Sequence, residues 1–288
     1  MKYEITNEKK LVNGLMMYRI KALKNFSNLL SKVRAGDLGG WIEGELNLSQ
    51  EGDAWVANDA KVYGNARVSG NANVSEDAEV SGNAKVFGNA LVYENAEVSG
   101  NAMVSGNAMV SGNARVYGHA KVYGDALVFG NAEVSINAKV YGNAWVYGDA
   151  EVTGHAEVSG NAQVSGHARV SGDAEVYGDA LVYGDSVVFG KALLFGNAKV
   201  YGNAQVSEDA WVSGNAQVYK KAWVSEDAWV SGGAQVSGNA QVSGHARVSG
   251  DAEVYGDALV YGDSVVFGNA RVSGNAQVSG NDWVSGKA

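Results

Sequence analysis

Between residues 54 and 284 the sequence repeats one six-residue phrase with no insertion or deletion: Ala-x-Val, then Ser, Tyr or Phe, then Gly, then Asn, Asp or His. Gly64-Asn65-Ala66-Arg67-Val68-Ser69 is a representative copy, and the Ala position recurs thirty-nine times in steps of six from 54 to 282. A short fixed period restricts the chain to a repeat architecture, in which each unit buries its apolar side only against its neighbours.

Ala and Val stand two apart, so in extended backbone both side chains point to one side and the residue between them to the other. Gly supplies positive φ. Asn, Asp or His follows, residue types that tolerate the left-handed region, so a left-handed corner is expected to close every hexad across these two positions. A meander of small hairpins would leave the Ala/Val face uncovered, whereas a coil that turns at each corner closes it inward. The sequence therefore predicts an all-β parallel β-helix, a triangular solenoid with three hexads or 18 residues per rung and about 13 rungs. Residues 1–45 are expected to form a small N-terminal capping module of short strands and loop, and residues 46–288 the β-helix. The period does not choose the hand of the coil.

The run Val-Ser/Tyr-Gly-Asn-Ala-x resembles the hexapeptide repeat of left-handed parallel β-helices, the fold of many acyltransferases. The opening is more specific. Lys2-Tyr3, Met17-Tyr18-Arg19-Ile20, Gly36-Asp37-Leu38-Gly39-Gly40-Trp41 and Leu48-Ser49-Gln50-Glu51-Gly52 resemble the N-terminal module of YdcK-type proteins of bacteria and phages. The resemblance covers essentially the whole chain. It implies a left-handed coil and, as an activity, acyl transfer from acetyl-CoA. In such enzymes the catalytic His stands near a loop thrown out from the coil, and acyl-CoA lies between the subunits of a trimer. No such loop interrupts these hexads.

Composition narrows the classes further. The chain has no Cys and no Pro, which removes thiol chemistry and thiolate metal sites. Its net charge is −9, and the charge is uneven, since residues 1–50 are net basic and the remainder strongly acidic. An acidic solenoid is a poor electrostatic partner for nucleic acid or an anionic membrane. No apolar run is long enough to span a bilayer, and the first residues lack a signal-peptide core, so a cytoplasmic or phage-particle location is expected. In the opening module Asn13-Gly14 signals a tight turn between two strands, and residues 25–33 read as a short helix or an irregular loop.

Inside the array, every Val position is Val except Leu194, and the inward Ala is replaced only by Ser186, Ser264 and Asp282. The serines can bond to local backbone. Asp282, in the last rung, reads as a gatekeeper against stacking or as an end contact with another copy. Residues 158–190 recur letter for letter as 236–268, a displacement of 78 that is not a whole number of rungs, so the copy is expected on different faces. A site tied to one face would be scrambled by such a copy.

The residues point to no catalytic group, no cofactor and no metal site. All four histidines, His119, His155, His167 and His245, occupy the last corner position and read as corner residues. Asp209, Asp227 and Asp263 share a corner column. Outward residues eighteen apart share a face, and there Leu91, Met109, Leu127 and Trp145 form one apolar ladder and Leu193, Trp211 and Trp229 another, with Trp223 on an adjoining face. Contiguous apolar ladders mark contact surfaces, so self-association is the expected partnership. The chain reads as a non-catalytic scaffold, a rigid rod or assembly surface. The alternative is an acyl-CoA-dependent acyltransferase with a corner His as base.

Overall fold

A computed structural model describes residues 1–27 and 32–286 and shows an all-β parallel β-solenoid. The chain divides into two compact units, Met1–Asn143 and Ala144–Ala288.

The first unit opens with two long antiparallel strands, β1 (Tyr3–Val12) and β2 (Leu15–Ala22), paired from Tyr3↔Ala22 to Val12↔Leu15. Asn13 and Gly14 turn the hairpin with φ of 50° and 80°, as the Asn-Gly pair predicts. Short strands β3 (Phe26–Ser27) and β4 (Lys32–Val33) pair antiparallel, which corrects the helix-or-loop expectation there; residues 28–31 of that segment lie outside the described residues. Then β5 (Leu38–Ile42) makes the transition to the coil. It runs antiparallel to β2 on one edge and parallel to Lys61–Val62 on the other. The cap is thereby continuous with the first sheet of the coil, and its own edge becomes the template for the rungs below.

Beyond the cap the chain coils mostly through two-residue strands, each an outward residue and its inward Val or, once, Leu194; Leu181–Gly184, Lys199–Gly202, Val265–Gly268 and Trp283–Gly286 run to four residues. Strands pair in parallel with those eighteen residues on, as in Glu79↔Glu97 and Lys85↔Met103, giving three sheets in each unit. The second unit follows the same register, as in Glu151↔Arg169 and Trp211↔Trp229. Amide donors run down each face to carbonyls seventeen residues on, such as Trp55 N–H to Ala72 O at 2.9 Å. The inward Ala and Val side chains are almost all sealed from solvent. Ser186 and Ser264 join them at no cost in unpaired groups. The hydroxyl of Ser186 donates to Tyr183 O (3.0 Å) or Val200 O (3.3 Å), and Ser264 repeats this with Tyr261 O (2.9 Å) and Val278 O (3.4 Å).

The corner differs from expectation in one respect. Positive φ falls on the Gly position and not on the Asn, Asp or His after it. Where Gly is absent, its substitutes Asn58, Glu76, Glu94, Ile136, Glu208, Lys220 and Glu226 still adopt φ between 56° and 63°. The Asn, Asp and His column therefore has another role, which is stacking. Asn65 Nδ2 donates to Asn83 Oδ1 and Asn83 Nδ2 to Asn101 Oδ1, both at 3.0 Å, and Asn107 Nδ2 donates to Asp125 Oδ1 at 2.8 Å. These are amide ladders one rung apart, chosen for side-chain reach rather than for backbone tolerance.

Candidate functional site

With the core uniform, any site must be built from outward and corner residues. In the first unit Leu91, Met109 and Leu127 are in register on one face, as their spacing predicts. Leu91 is only 7 % exposed, however, and belongs to the buried residues of the chain. It lies on the face headed by Trp55 and Asn73, both also buried, where Phe26 of the cap packs edge-on against Trp55 at 5.4 Å. Leu91 is thus removed from the set of exposed contact residues, and Met109 and Leu127 are half-buried. In the second unit Trp145 and Trp223 are exposed, Trp145 in register with Gln163 and Trp223 between Gln205 and Gln241.

The ladder Leu193–Trp211–Trp229 is also in register, and here Trp211 and Trp229 are exposed by 41 % and 38 %. The two indoles lie 5.5 Å apart and tilted by 60°, with Phe195 edge-on to Trp211 at 6.2 Å. Trp229 Nε1 donates to Ser213 Oγ at 3.4 Å, and Arg247 stands 5.8 Å from the Trp229 ring. Beside the indoles, Asp209 and Asp227 of the corner column complete a groove of about 310 Å³. Lys191 approaches Asp209 at 3.9 Å and His245 Nδ1 approaches Asp227 at 3.5 Å, so each carboxylate has one nitrogen neighbour in its column. The groove combines flat apolar faces with a carboxylate rim, a surface that can cover a partner's apolar residue and meet a cation beside it.

A second set of grooves was not legible in the outward residues alone. It lies in the column that follows Val, which holds Ser, Tyr or Phe. On one face of the second unit Tyr183, Tyr201 and Tyr219 stack with centroids 4.9 and 5.0 Å apart and planes within 3° and 2° of parallel. The next member is Ser237, and the one after is Tyr255. The missing ring leaves a groove of about 430 Å³ floored by Ser237 and walled by Tyr219 and Tyr255. Ser165 between Tyr147 and Tyr183 repeats the arrangement with about 210 Å³. The signal that finds these grooves is a Tyr-Ser-Tyr series read at eighteen-residue spacing.

The cap carries two clusters of its own. Trp41 is buried, its Nε1 donates to Asp59 Oδ1 at 3.1 Å, and Lys10 Nζ and the Arg19 guanidinium lie 4.2 and 5.0 Å from its ring. The Trp41 hydrogen bond, then Lys10 and Arg19, hold the Asp59 carboxyl below its usual range, while burial lowers the Lys10 ammonium. This clamp ties β1, β2 and β5 to the Asn58–Asp59 corner of the coil. Lys2 is fully buried, donating from Nζ to Ala54 O at 2.7 Å, and burial pulls it down to about 8. Its neighbour Tyr3 donates its hydroxyl to Leu48 O at 2.7 Å and is pushed up to about 12 by burial. Nothing in the sequence singles out either residue as buried.

His167 Nδ1 stands 3.7 Å from Asp149 Oδ2 and His119 meets Asn101 at 3.4 Å, both exposed members of corner ladders. Asp282 is exposed and accepts from Ser279 N–H at 3.5 Å. Among the described residues no three His, Asp or Glu side chains converge as a metal site, and no helix is long and apolar enough to cross a membrane.

The internal copy lands as its displacement requires. Glu157–Val158 belongs to one sheet of the second unit and Gln235–Val236 to another. No curated protein matches the chain. The family model of the YdcK β-solenoid repeat does match it, at residues 60–76, 96–112, 162–175, 240–254 and 266–280, in both units. Repeat matches spread along the coil and the parallel three-sheet solenoid agree: the chain is a β-solenoid whose repeats match the YdcK β-solenoid repeat.

Proposed function

We propose that this chain is a non-catalytic scaffold whose solenoid offers an assembly surface, joining to a second copy of itself through the Leu193–Trp211–Trp229 ladder. The observation that carries this reading is the exposure of two adjacent indoles, 41 % and 38 %, in unbroken register on one face. Isolated apolar residues on a surface need no explanation, but adjacent large aromatics are the residues that anchor protein contacts. The internal copy supports a non-catalytic role. The same 33 residues enter the coil on different sheets, and Ser186 and Ser264 make matching bonds there, so local chemistry is not kept on one face. The test is the solution mass of the full chain by sedimentation equilibrium. An assembly in the wild type that falls to a lower state in Trp211→Glu supports the reading, with Leu127→Glu probing the other ladder. A monomeric wild type, or a mass unchanged in Trp211→Glu, refutes it.

A second reading, acyl transfer from acetyl-CoA, is favoured by one contact. His245 approaches Asp227, which lines the tryptophan groove, and an imidazole beside a carboxylate is an arrangement suited to a general base. Calorimetric titration with acetyl-CoA decides it: saturable binding lost in Trp229→Ala keeps the transferase, and absence of binding removes it.

A further inference from the structure

We infer that the gap at Ser237 binds a phenolic ring, which stacks between Tyr219 and Tyr255 and donates its hydroxyl to Glu253. The column sets the shape of the gap. Its tyrosines repeat at 4.9 and 5.0 Å with nearly parallel planes, so two rungs separate Tyr219 from Tyr255 by about 10 Å and one flat ring fills the interval. Ser237 is itself buried and takes up almost none of that space, which remains as a groove of about 430 Å³. An inserted ring would meet an aromatic face on each side in the geometry the chain already uses between its own tyrosines.

The edge of the gap sets the chemistry. In this column three ring hydroxyls donate to a glutamine sixteen positions on: Tyr147 to Gln163 at 3.4 Å, Tyr201 to Gln217 at 3.1 Å and Tyr219 to Gln235 at 3.2 Å. On another face the same offset brings Tyr63 to Glu79 at 3.3 Å and Tyr117 to Glu133 at 3.0 Å. Sixteen on from Ser237 is Glu253, which lines the groove. Arg271 Nε holds its Oε2 at 3.3 Å, so the carboxylate is kept at the edge where a phenol hydroxyl would arrive. A carboxylate is a stronger acceptor for that hydroxyl than the amide oxygens elsewhere in the column. The Ser165 gap lacks this partner, because the residue sixteen on is Leu181. One gap is therefore selective for a hydroxylated ring and the other is not.

The inference is independent of the assembly reading and is tested on the full chain with 4-fluorophenol and fluorobenzene, followed by ¹⁹F NMR titration. A single small ring is expected to bind with a dissociation constant on the order of millimolar. The wild type should prefer 4-fluorophenol several-fold. Ser237→Tyr, which supplies the missing ring, should weaken 4-fluorophenol at least about tenfold, while Ser165→Tyr leaves the preference intact. Glu253→Leu should bring 4-fluorophenol to the level of fluorobenzene. If Ser237→Tyr does not fold, Tyr255→Ser removes one wall and should give the same loss. Retained affinity in Ser237→Tyr or Tyr255→Ser, an unchanged preference in Glu253→Leu, or no saturable binding by about 10 mM would overturn it.

Discussion

The corner glycines make the sharpest prediction, because two of them in the first unit share a torsion and differ in the space around it. Gly112 and Gly124 have φ of 69° and 74°, so alanine at either pays the same left-handed penalty, ~1–2 kcal/mol, partly offset by the ~0.4–1 kcal/mol that a less flexible unfolded chain returns. A Cβ on Gly124 would stand 3.0 Å from the backbone nitrogen of Gly142, a contact that a small shift relieves. On Gly112 it would stand 2.7 and 2.8 Å from the carbonyl oxygen and nitrogen of Gly130, backbone atoms that cannot rotate aside. The chain shows how a corner adapts to a side chain, since its non-glycine corners close to φ between 56° and 63°. Gly124→Ala needs about that adjustment and is expected to cost ~1 kcal/mol; Gly112→Ala must also push the next rung away, and overpacking of this kind raises the cost to ~2–3 kcal/mol. Guanidinium unfolding gives the two values, provided m is unchanged. Hydrogen exchange at the amides of Asn95 and Asn107, which donate to Gly112 O and Gly124 O at 2.9 and 2.7 Å, localises the effect. Equal costs, or a greater cost at Gly124, would refute the idea that rung-to-rung contact fixes glycine at these corners.

Two further outcomes follow from buried polar groups. Lys2 has a folded value of about 8 against an ordinary 10.5, so between those limits the unfolded chain binds more protons and stability rises with pH, by ~3 kcal/mol over the full window. Tyr3, raised from 10.0 to about 12, also binds its proton more tightly when folded and removes stability as pH climbs through that range. The cap should therefore be most stable near pH 10, and Lys2→Met should abolish the rise between pH 8 and 10 in urea unfolding; a rise of the same size in the variant would place its origin elsewhere. Ser186→Ala removes a hydroxyl bonded to Tyr183 O or Val200 O at a site where alanine is otherwise the rule, and is expected to cost ~1 kcal/mol by the same assay, whereas a gain in stability would show that the hydroxyl is buried at a loss.

The period made the fold legible. A two-residue offset between Ala and Val sets the inward face, and a step of eighteen sets which strands pair, and both are facts of the sequence. The corner was only half legible, because a Gly-Asn pair looks the same whether one or both residues are left-handed; the ladder at Asn65, Asn83 and Asn101 depends on a contact between residues eighteen apart. The ladder Leu193–Trp211–Trp229 was readable from spacing alone, yet the burial of Leu91 was not, since burial depends on what packs over a face and not on spacing along it. Lys2 and the Trp41 clamp escaped for the same reason. Without a period, a residue's neighbours in space are not given by its neighbours in the chain.

The internal copy separates what contiguous sequence encodes from what the column encodes. Ser165 and Ser243 are the same residue of the duplicated segment, with identical neighbours in the chain on both sides. Eighteen residues away in each direction Ser165 has Tyr147 and Tyr183, and a groove results; Ser243 has Ser225 and Tyr261, which cannot wall one with two rings. The backbone is alike at both serines, so the difference lies wholly in the register with the rungs above and below. A copying event that is not a whole number of rungs keeps every fold-determining contact, because all faces are made of the same Ala and Val, while it reassigns each surface residue to new neighbours. In such a chain a local motif cannot carry a binding site, whereas one substitution in a column can open or close one. That is why Tyr219, Ser237 and Tyr255, separated by eighteen residues at each step, form the unit on which recognition by this surface would be selected.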